Sequence, residues 1–165
     1  MSATPRLGLP FLSAGQAQKE IFHNEALQAL DVIVAAAVEE APSATPPASP
    51  SEGSCYIVGA GAIDEWTGRD GSLAAFSSGG WRYIAPTAGM SAYVKSSGIL
   101  AAYRSGGWEL GAVRGSSLLI DGQQVVGSRT AAIASPTGGT TVDAEARAAI
   151  AQALGAMRQH GLIET

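Results

Sequence analysis

A ten-residue stretch, Ser72-Leu-Ala-Ala-Phe-Ser-Ser-Gly-Gly-Trp81, decides the fold, because the chain uses its pattern twice. The second copy, Ile99-Leu-Ala-Ala-Tyr-Arg-Ser-Gly-Gly-Trp108, follows at an offset of 27 residues. In each copy a short apolar run ends at Ser-Gly-Gly, whose glycines supply the positive φ that a tight turn requires. A second run then opens on tryptophan. Each copy therefore predicts a β-hairpin of two antiparallel strands.

Short apolar runs, separated by glycine and serine, surround the two hairpins. Their spacing of about eight to ten residues is typical of a small antiparallel β fold. A further hairpin is predicted at 117–126, around the two-residue turn Asp121-Gly122. The antiparallel β domain is therefore expected to span 54–126. The other predicted strands are Cys55–Val58, Ile63–Trp66, Leu73–Ser77, Trp81–Ile84, Ala92–Lys95, Leu100–Arg104 and Trp108–Val113.

The first 53 residues predict an arm and helix at 1–40 and a linker at 41–53. Residues 4–14 contain two prolines and a glycine among apolar side chains, which predicts an extended arm on an apolar surface of this subunit or a neighbour. Helical spacing begins near Gln16, and Asn24 is a fair N-cap for a helix that runs to about Val34. Residues 35–40 alternate and could form a strand. The four prolines of 41–53 predict an extended, polyproline-like connector.

The last part of the chain, 127–165, predicts a loop and a helix. Asp143 stands at an N-cap position, and Glu145 adds a negative charge in the first turn, where the helix dipole favours it. Gly161 follows the last turn, where a left-handed cap is expected. The apolar stripe is narrow and partly alanine, which favours packing against copies of itself over covering a broad core. The predicted oligomer interface consists of Ala146, Ile150, Ala153, Leu154 and Met157.

The net charge, the cysteine count and the lengths of the apolar runs exclude several classes of function. The net charge of −4 provides no clustered basic surface for nucleic acid. The single cysteine, Cys55, excludes an intrachain disulfide and a cysteine-based zinc site, and its apolar neighbours predict a buried strand residue. No signal-peptide pattern is visible, and the longest apolar run, 32–38, is too short to cross a bilayer. We expect a soluble chain with no nucleic-acid partner and no membrane insertion.

Residues that could carry chemistry form no recognisable catalytic or metal pattern. His23 has Lys19 four residues before it, where a metal site on one helix face would need another ligand. Asp64 and Glu65 are adjacent, so on a strand they would point to opposite faces and could not flank one glycosidic bond. A depolymerase would need these two and Asp70 to converge in a groove. We expect no enzyme activity, no cofactor and no metal.

Aromatic side chains on the hairpins leave two interpretations open. A tryptophan after a hairpin turn can pack across the hairpin and cover a small core. The same rings, if exposed, could stack on pyranose rings and form a glycan-binding surface. The candidate glycan contacts are Trp66, Trp81, Tyr83, Tyr103 and Trp108.

Motifs along the chain resemble a known family. At the start they are Pro5-Arg-Leu-Gly-Leu-Pro10, Gly15-Gln-Ala-Gln-Lys19, His23-Asn-Glu-Ala-Leu27 and Leu30-Asp31, and at the end Val125-Val126-Gly127, Gly138-Gly139 and His160-Gly-Leu-Ile163. Together with the Gly-Trp hairpins, these motifs resemble a domain of unknown function found in tail-fibre and spike proteins of phages that infect alphaproteobacteria. The same domain also occurs in related gene transfer agents.

This resemblance implies a structural protein of the virion of a phage or gene transfer agent. The chain would be a subunit of a tail fibre or spike, commonly a homotrimer, that serves attachment to the host surface. Its partners would be other tail, baseplate or head proteins, docked through Pro5, Leu7, Leu9 and Phe11. The alternative, compatible with the first, is a carbohydrate-binding module that recognises host capsule or lipopolysaccharide.

The expected fold class is α+β, with an N-terminal arm and helix, a small antiparallel β-hairpin domain and a C-terminal oligomerising helix.

Overall fold

The computed structural model describes residues 3–13, 15 and 19–165. The chain divides into two compact units, Met1–Ala112 (unit 1) and Val113–Thr165 (unit 2). Helices and short, mainly antiparallel strands make up an α+β fold, so the predicted fold class is confirmed. The hairpin at 117–126 groups with the C-terminal helix instead of with the rest of the predicted β domain.

Unit 1 contains one α-helix, one short 3₁₀ helix and two small sheets over its described residues. The strands β2, β3 and β4 form one antiparallel sheet; the other has the order β1-β5-β6-β7, with β1 parallel to β5. The elements are α1 (Lys19–Ile33), β1 (Ala37–Val38), β2 (Cys55–Ile57), a 3₁₀ helix (Asp64–Trp66), β3 (Leu73–Ser77), β4 (Gly80–Ile84), β5 (Ser91–Val94), β6 (Ile99–Arg104) and β7 (Gly107–Leu110).

The predicted strands of unit 1 are confirmed, with slightly shifted ends, except for Ile63–Trp66. That stretch is a 3₁₀ helix, because its backbone makes local turn bonds in place of a ladder. Trp66 N donates to Ile63 O at 3.0 Å, and Thr67 N donates to Asp64 O at 3.1 Å. The spacing of the short apolar runs predicted a strand there, because one turn of 3₁₀ helix is too short to show its own period.

Both copies of the repeat form the predicted hairpin. Phe76 pairs with Trp81 across β3 and β4, and Tyr103 pairs with Trp108 across β6 and β7. The turns differ, although both are written Ser-Gly-Gly. In the first turn positive φ falls on Gly80 (95°), whereas in the second it falls on Ser105 (50°) and the glycine after it.

The helix α1 runs through Asn24 without interruption, so the predicted N-cap there was wrong. The Asn24 side chain instead accepts from Leu12 N at 2.9 Å and donates to Leu12 O at 3.1 Å. It therefore fastens the segment before the helix. The predicted helix start at Gln16, like the end of the predicted arm at Ala14, lies outside the described residues.

Residues 4–9 form a closed loop, so the predicted extended arm was wrong for this part of the segment. Thr4 N donates to Leu9 O at 2.9 Å, and Gly8 N donates to Thr4 O at 3.2 Å. The carboxylate that fixes this loop belongs to Asp31, near the end of α1, whose side chain is buried. Its Oδ1 accepts from Thr4 Oγ1 at 2.7 Å and from Leu7 N at 2.6 Å.

Arg6 completes the attachment of this loop to α1. Its backbone N–H donates to Asp31 Oδ2 at 3.1 Å. Its guanidinium donates to Asp31 O, Val32 O and Ala35 O at 3.0–3.1 Å. Carbonyls in the last turn of a helix lack intrahelical partners, and a cation there also favours the helix dipole. The N-terminal loop therefore closes the end of its own helix.

The proline-rich segment 41–53 is hydrogen-bonded into the β region. Ser43 N donates to Ile57 O at 3.2 Å, and Gly59 N donates to Ser43 O at 2.7 Å. At the other end Gly53 N donates to Phe76 O at 2.8 Å. This segment lies within unit 1 and does not divide it.

The core of unit 1 packs the end of α1 against both sheets. Cys55 is fully buried on β2, which confirms the predicted strand thiol, and this burial raises its pKa to about 11. Small residues fill much of the space between the sheets. The buried members are Val32, Ala36, Val38, Cys55, Ile57, Leu73, Ala75, Ala92, Val94 and Ala101.

Unit 2 contains a two-stranded hairpin, β8 (Leu118–Ile120) and β9 (Gln123–Val126), and the helix α2 (Ala144–Gln159). The predicted caps of α2 are confirmed. Asp143 Oδ1 accepts from Ala146 N at 2.8 Å, and Gly161 has a φ of 70° just after the helix. No helix among the described residues of either unit is long and apolar enough to cross a membrane.

Candidate functional site

Two aromatic side chains of the first hairpin, Phe76 and Trp81, pack with two rings from the preceding segments. The Trp66 cluster consists of Trp66, Trp81, Tyr56 and Phe76. Trp66 lies 5.3 Å from Trp81 and 5.7 Å from Tyr56 between ring centroids, and Phe76 lies 5.1 Å from Trp81. The Trp81 ring meets Trp66 and Phe76 in edge-to-face geometry, which suits the opposite charges of aromatic faces and edges.

Trp66 is 0% exposed, so its prediction as a glycan contact was wrong. The 3₁₀ helix turns its indole inward, where the neighbouring rings cover it. Tyr83 of the same hairpin is also engaged. Its hydroxyl donates to Glu65 O at 2.5 Å, and the guanidinium of Arg69 lies 4.8 Å from its ring centroid.

The second hairpin places its aromatic pair beside an open groove. Tyr103 and Trp108 meet edge to face, with centroids 5.4 Å apart and an interplanar angle of 64°. Trp108 Nε1 donates to Gly71 O at 2.7 Å, which fixes the indole. Both rings line a cavity of about 320 Å³, which we name the Trp108 groove. Its other lining residues are Pro42, Ile57, Val58, Gly59, Ala60, Asp70, Gly71, Gly106 and Gly107.

Asp70 supplies the only carboxylate among the described residues that line the Trp108 groove. Its Oδ2 accepts from Gly61 N at 2.8 Å and its Oδ1 accepts from Ala62 N at 3.1 Å. These backbone N–H groups favour the charged form, so they hold the pKa of Asp70 below its usual value. The carboxylate is fully solvated and is held in a fixed orientation at the edge of the groove. None of the described residues that line this groove is Lys, Arg or His.

The acids that a depolymerase would need do not line one cavity. Asp70 lines the Trp108 groove, whereas Asp64 and Glu65, both exposed, do not. His23 is exposed on α1. Among the described residues, no group of three or more His, Cys, Asp or Glu side chains is placed to hold a metal ion.

Four of the five side chains predicted to form the oligomer interface are exposed, and the fifth is buried. Ala146, Ile150, Ala153 and Met157 are exposed along α2, with Ile150 46% exposed. Leu154 is 7% exposed within the single chain, so its prediction as an interface residue was wrong.

The four side chains predicted to dock to the virion are divided by the fold of the N-terminal loop. Pro5 and Leu7 are exposed, whereas Leu9 and Phe11 are half-buried. Any surface that this loop offers to another protein therefore centres on Pro5 and Leu7.

A family model described as a protein of unknown function (DUF2793) matches residues 23–109. This range is more than half of the 165-residue chain. The chain belongs to this family. The DUF2793 region extends from within α1 to β7 and includes both hairpins, the Trp66 cluster and every described residue that lines the Trp108 groove. Unit 2 lies after it. No curated protein matches the sequence.

Two residues that organise the DUF2793 region were missed as such in the sequence. Asp31 was noted only as part of the Leu30-Asp31 motif, with no structural role, and its partners lie more than twenty residues earlier in the chain. Asp70 was considered only as a possible catalytic acid. Asp70-Gly71 is a local turn signal, but it does not predict this role, because the carboxylate accepts from Gly61 N and Ala62 N in a different loop.

Proposed function

We propose that this DUF2793 protein is a structural subunit of a phage or gene-transfer-agent tail fibre or spike, which assembles as a homotrimer and serves attachment to the host surface. The observation that carries the proposal is the exposure of apolar side chains throughout unit 2. Among its hydrophobic residues, described in full, only Leu154 and Ile163 are buried. A folded unit of this size that covers so little apolar surface is expected to cover it by association.

The hairpin of unit 2 gives the first argument for association. Leu118, Leu119 and Ile120 on β8 are each more than half exposed, and Val125 and Val126 on β9 are exposed as well. An isolated two-stranded hairpin is marginally stable in water, because it needs a third strand or a packed apolar face. Copies of this hairpin in sister subunits would supply such a face.

The helix of unit 2 gives the second argument. The α2 seam, which we define as Ala146, Ile150, Ala153 and Met157, forms an uncharged exposed stripe at spacings of three and four residues. A helix of this length is marginal by itself, since most helix stability in proteins comes from packing an apolar face. The seam is narrow and its alanines allow close approach, so three copies around one axis could bury it.

The virion role rests on the resemblance of the sequence motifs, and the fold is compatible with it. Asp31 holds the N-terminal loop of unit 1 closed, which restrains the exposed Pro5 and Leu7. A restrained loop loses little conformational entropy on docking to a tail, baseplate or head protein.

Sedimentation equilibrium of the full chain tests the trimer. We expect a mass three times the 16.6 kDa of one chain. Ile150→Asp should dissociate the trimer, because it places a charge on the seam at a cost of about 3 kcal/mol per subunit. The matched control is Ala148→Asp, an exposed position roughly 200° away around the helix. A stable monomer at micromolar concentration, or equal dissociation of both variants, would refute the assembly.

Immunogold labelling of purified particles tests the virion role. Antibodies raised against the full chain should label the tail or another attachment structure, and they should block adsorption to host cells. Purified particles that lack this chain would overturn the virion assignment, whatever the oligomeric state of the isolated protein.

A further inference from the structure

We propose that the Trp108 groove binds a neutral pyranose sugar, with Tyr103 and Trp108 as the stacking wall and Asp70 as an acceptor for sugar hydroxyls. The inference concerns unit 1 alone, because every residue that lines the groove lies between Pro42 and Trp108. It is independent of the assembly through unit 2, so either proposal can fail without the other.

The first step is the difference between the two aromatic groups. Four rings of the Trp66 cluster contact one another, and the central indole is fully buried. Tyr103 and Trp108 form a pair that is half-buried and borders the cavity. Of the five predicted glycan contacts, these two are the ones that line the Trp108 groove. Pyranose rings present polarised C–H groups on their faces, which pack favourably against the negative face of an aromatic ring.

The second step is preorganisation of the wall. The bond from Trp108 Nε1 to Gly71 O satisfies the indole N–H and fixes the plane of the ring. The edge-to-face contact with Tyr103 restrains both rings further. A wall that is already fixed does not lose rotamer freedom when a ligand binds.

The third step is the polar chemistry at the edge of the groove. Each Asp70 oxygen receives one backbone N–H, which leaves each a further lone pair for a ligand. A carboxylate is acceptor-only, so it selects ligands that present hydroxyl or amine donors, and vicinal sugar hydroxyls match its two oxygens. Because no described lining residue is cationic, uronic and sialic acids would meet an uncompensated negative charge.

The fourth step is space. Gly106 and Gly107 line the groove without side chains, so no side chain of theirs covers the backbone at this rim. A Cβ at Gly106 or Gly107 would meet no atom within 4 Å, which shows that this rim is open. The volume of about 320 Å³ lies at the lower end of the roughly 300–1,000 Å³ typical of small-ligand pockets. This size suits a short sugar segment.

Saturation-transfer-difference NMR on the full chain provides the test. The probes are glucose, galactose, mannose and N-acetylglucosamine, with glucuronic acid and sialic acid as charged comparators. We expect binding of at least one neutral sugar with a millimolar Kd and weaker binding of both acids. Asp70→Asn and Tyr103→Leu should each weaken the neutral sugar roughly tenfold, as expected for loss of a charge-assisted hydrogen bond or of a stacking face.

Matched variants separate loss of the site from loss of the fold. Asp64→Asn removes the same charge outside the groove, and Tyr93→Leu removes an exposed tyrosine outside it; both should bind within about twofold of the parent chain. Ala60→Phe fills the groove from an exposed lining position and should abolish binding at an unchanged melting temperature. Its control is Ala88→Phe, at an exposed turn position outside the groove.

The proposal is overturned if no neutral sugar gives a saturation-transfer signal. It is equally overturned if Ala60→Phe and Asp70→Asn bind as well as their controls, since the sugar would then bind elsewhere. Preferential binding of the two acidic sugars would contradict the role of Asp70. Each of these readings holds for a monomer and for a trimer, so it does not depend on the outcome of sedimentation.

Discussion

The two copies of the repeat have the same strand pairing and the same aromatic cross-strand pair, yet their tryptophans have different surroundings. Trp81 meets Trp66 and Tyr56, which lie outside the repeat, and becomes part of a closed cluster. Trp108 instead donates to Gly71 O and borders a groove. The residue 27 positions after Trp66 is Tyr93, which is exposed on β5. The second copy therefore has no buried counterpart of the Trp66 indole.

This comparison shows that the repeat determines the hairpin and that neighbouring segments determine its role. The register depends on alternation and on a turn, which are local properties of ten residues. Whether a tryptophan on that hairpin is part of a closed cluster or lines a groove depends on which residues outside the hairpin pack against it. In the first copy, the 3₁₀ helix supplies Trp66 for this packing.

The largest expected effect is the loss of the ring that closes the first hairpin. Trp66→Ala should destabilise unit 1 by about 3–5 kcal/mol, because it removes a fully buried indole from a cluster that cannot collapse onto the space. Tyr93→Ala, at the corresponding exposed position, should cost less than about 1 kcal/mol. Urea unfolding followed by tryptophan fluorescence measures both. Similar losses for the two variants would show that the hairpins do not differ in this way.

An intermediate effect concerns Cys55, whose strand pairs with β3 of the first hairpin. Its pKa of about 11 in the folded chain lies above the value of an unfolded thiol, so the folded state keeps its proton longer. The contribution of the Cys55 thiol to the free energy of unfolding is fully present below the unfolded pKa and is lost as the pH rises towards 11. We expect the parent chain to lose about 2–3 kcal/mol of stability over this range relative to Cys55→Ala.

Urea midpoints at pH 8 and at pH 10.5 measure this difference. The Cys55→Ala variant serves as the reference, because tyrosines and lysines also titrate there and affect both chains alike. If the urea midpoint changes equally with pH in the two chains, the Cys55 thiol is not buried on β2 as the structure describes.

The smallest expected effect separates the two turns. Ser105 has a φ of 50°, a conformation in which asparagine is favoured over serine, so Ser105→Asn should stabilise the chain by about 0.5 kcal/mol. The corresponding change Ser78→Asn should give no such gain, because positive φ in the first turn falls on Gly80. Paired thermal melts of the two variants measure the difference. A gain at both positions would mean that the turns share one conformation.

Local patterns accounted for most elements of this fold. The strands, the hairpin register and the caps of α2 follow from periodicity, from Ser-Gly-Gly and from Asp143, all of which act over a few residues. The stretch Ile63–Trp66 was misassigned because four residues do not distinguish a strand from one helical turn. The N-terminal loop was missed because its stability depends on Asp31, far away in sequence.

The candidate site was only half predictable for the same physical reason. Tyr103 and Trp108 were visible as aromatic residues of a hairpin. Their selection over Trp66 and Trp81 depends on loops at 59–62 and 70–71, which supply a carboxylate, backbone groups and open space. No spacing rule relates these loops to the repeat. The seam of α2 was predicted from its period, but the burial of Leu154 within the chain was not.

The hydrogen bonds between the N-terminal loop and Asp31 also affect the order in which parts of the chain can fold during synthesis. Thr4 and Leu7 are synthesised before their hydrogen-bond acceptor, Asp31, which follows 24–27 residues later. The pairing of β1 is delayed further, since its parallel partner β5 begins only at Ser91. The second hairpin, in contrast, carries both of its strands within one short segment. The N-terminal loop can therefore be fastened to α1 once Asp31 has been synthesised, whereas β1 stays unpaired with β5 until most of unit 1 has been made.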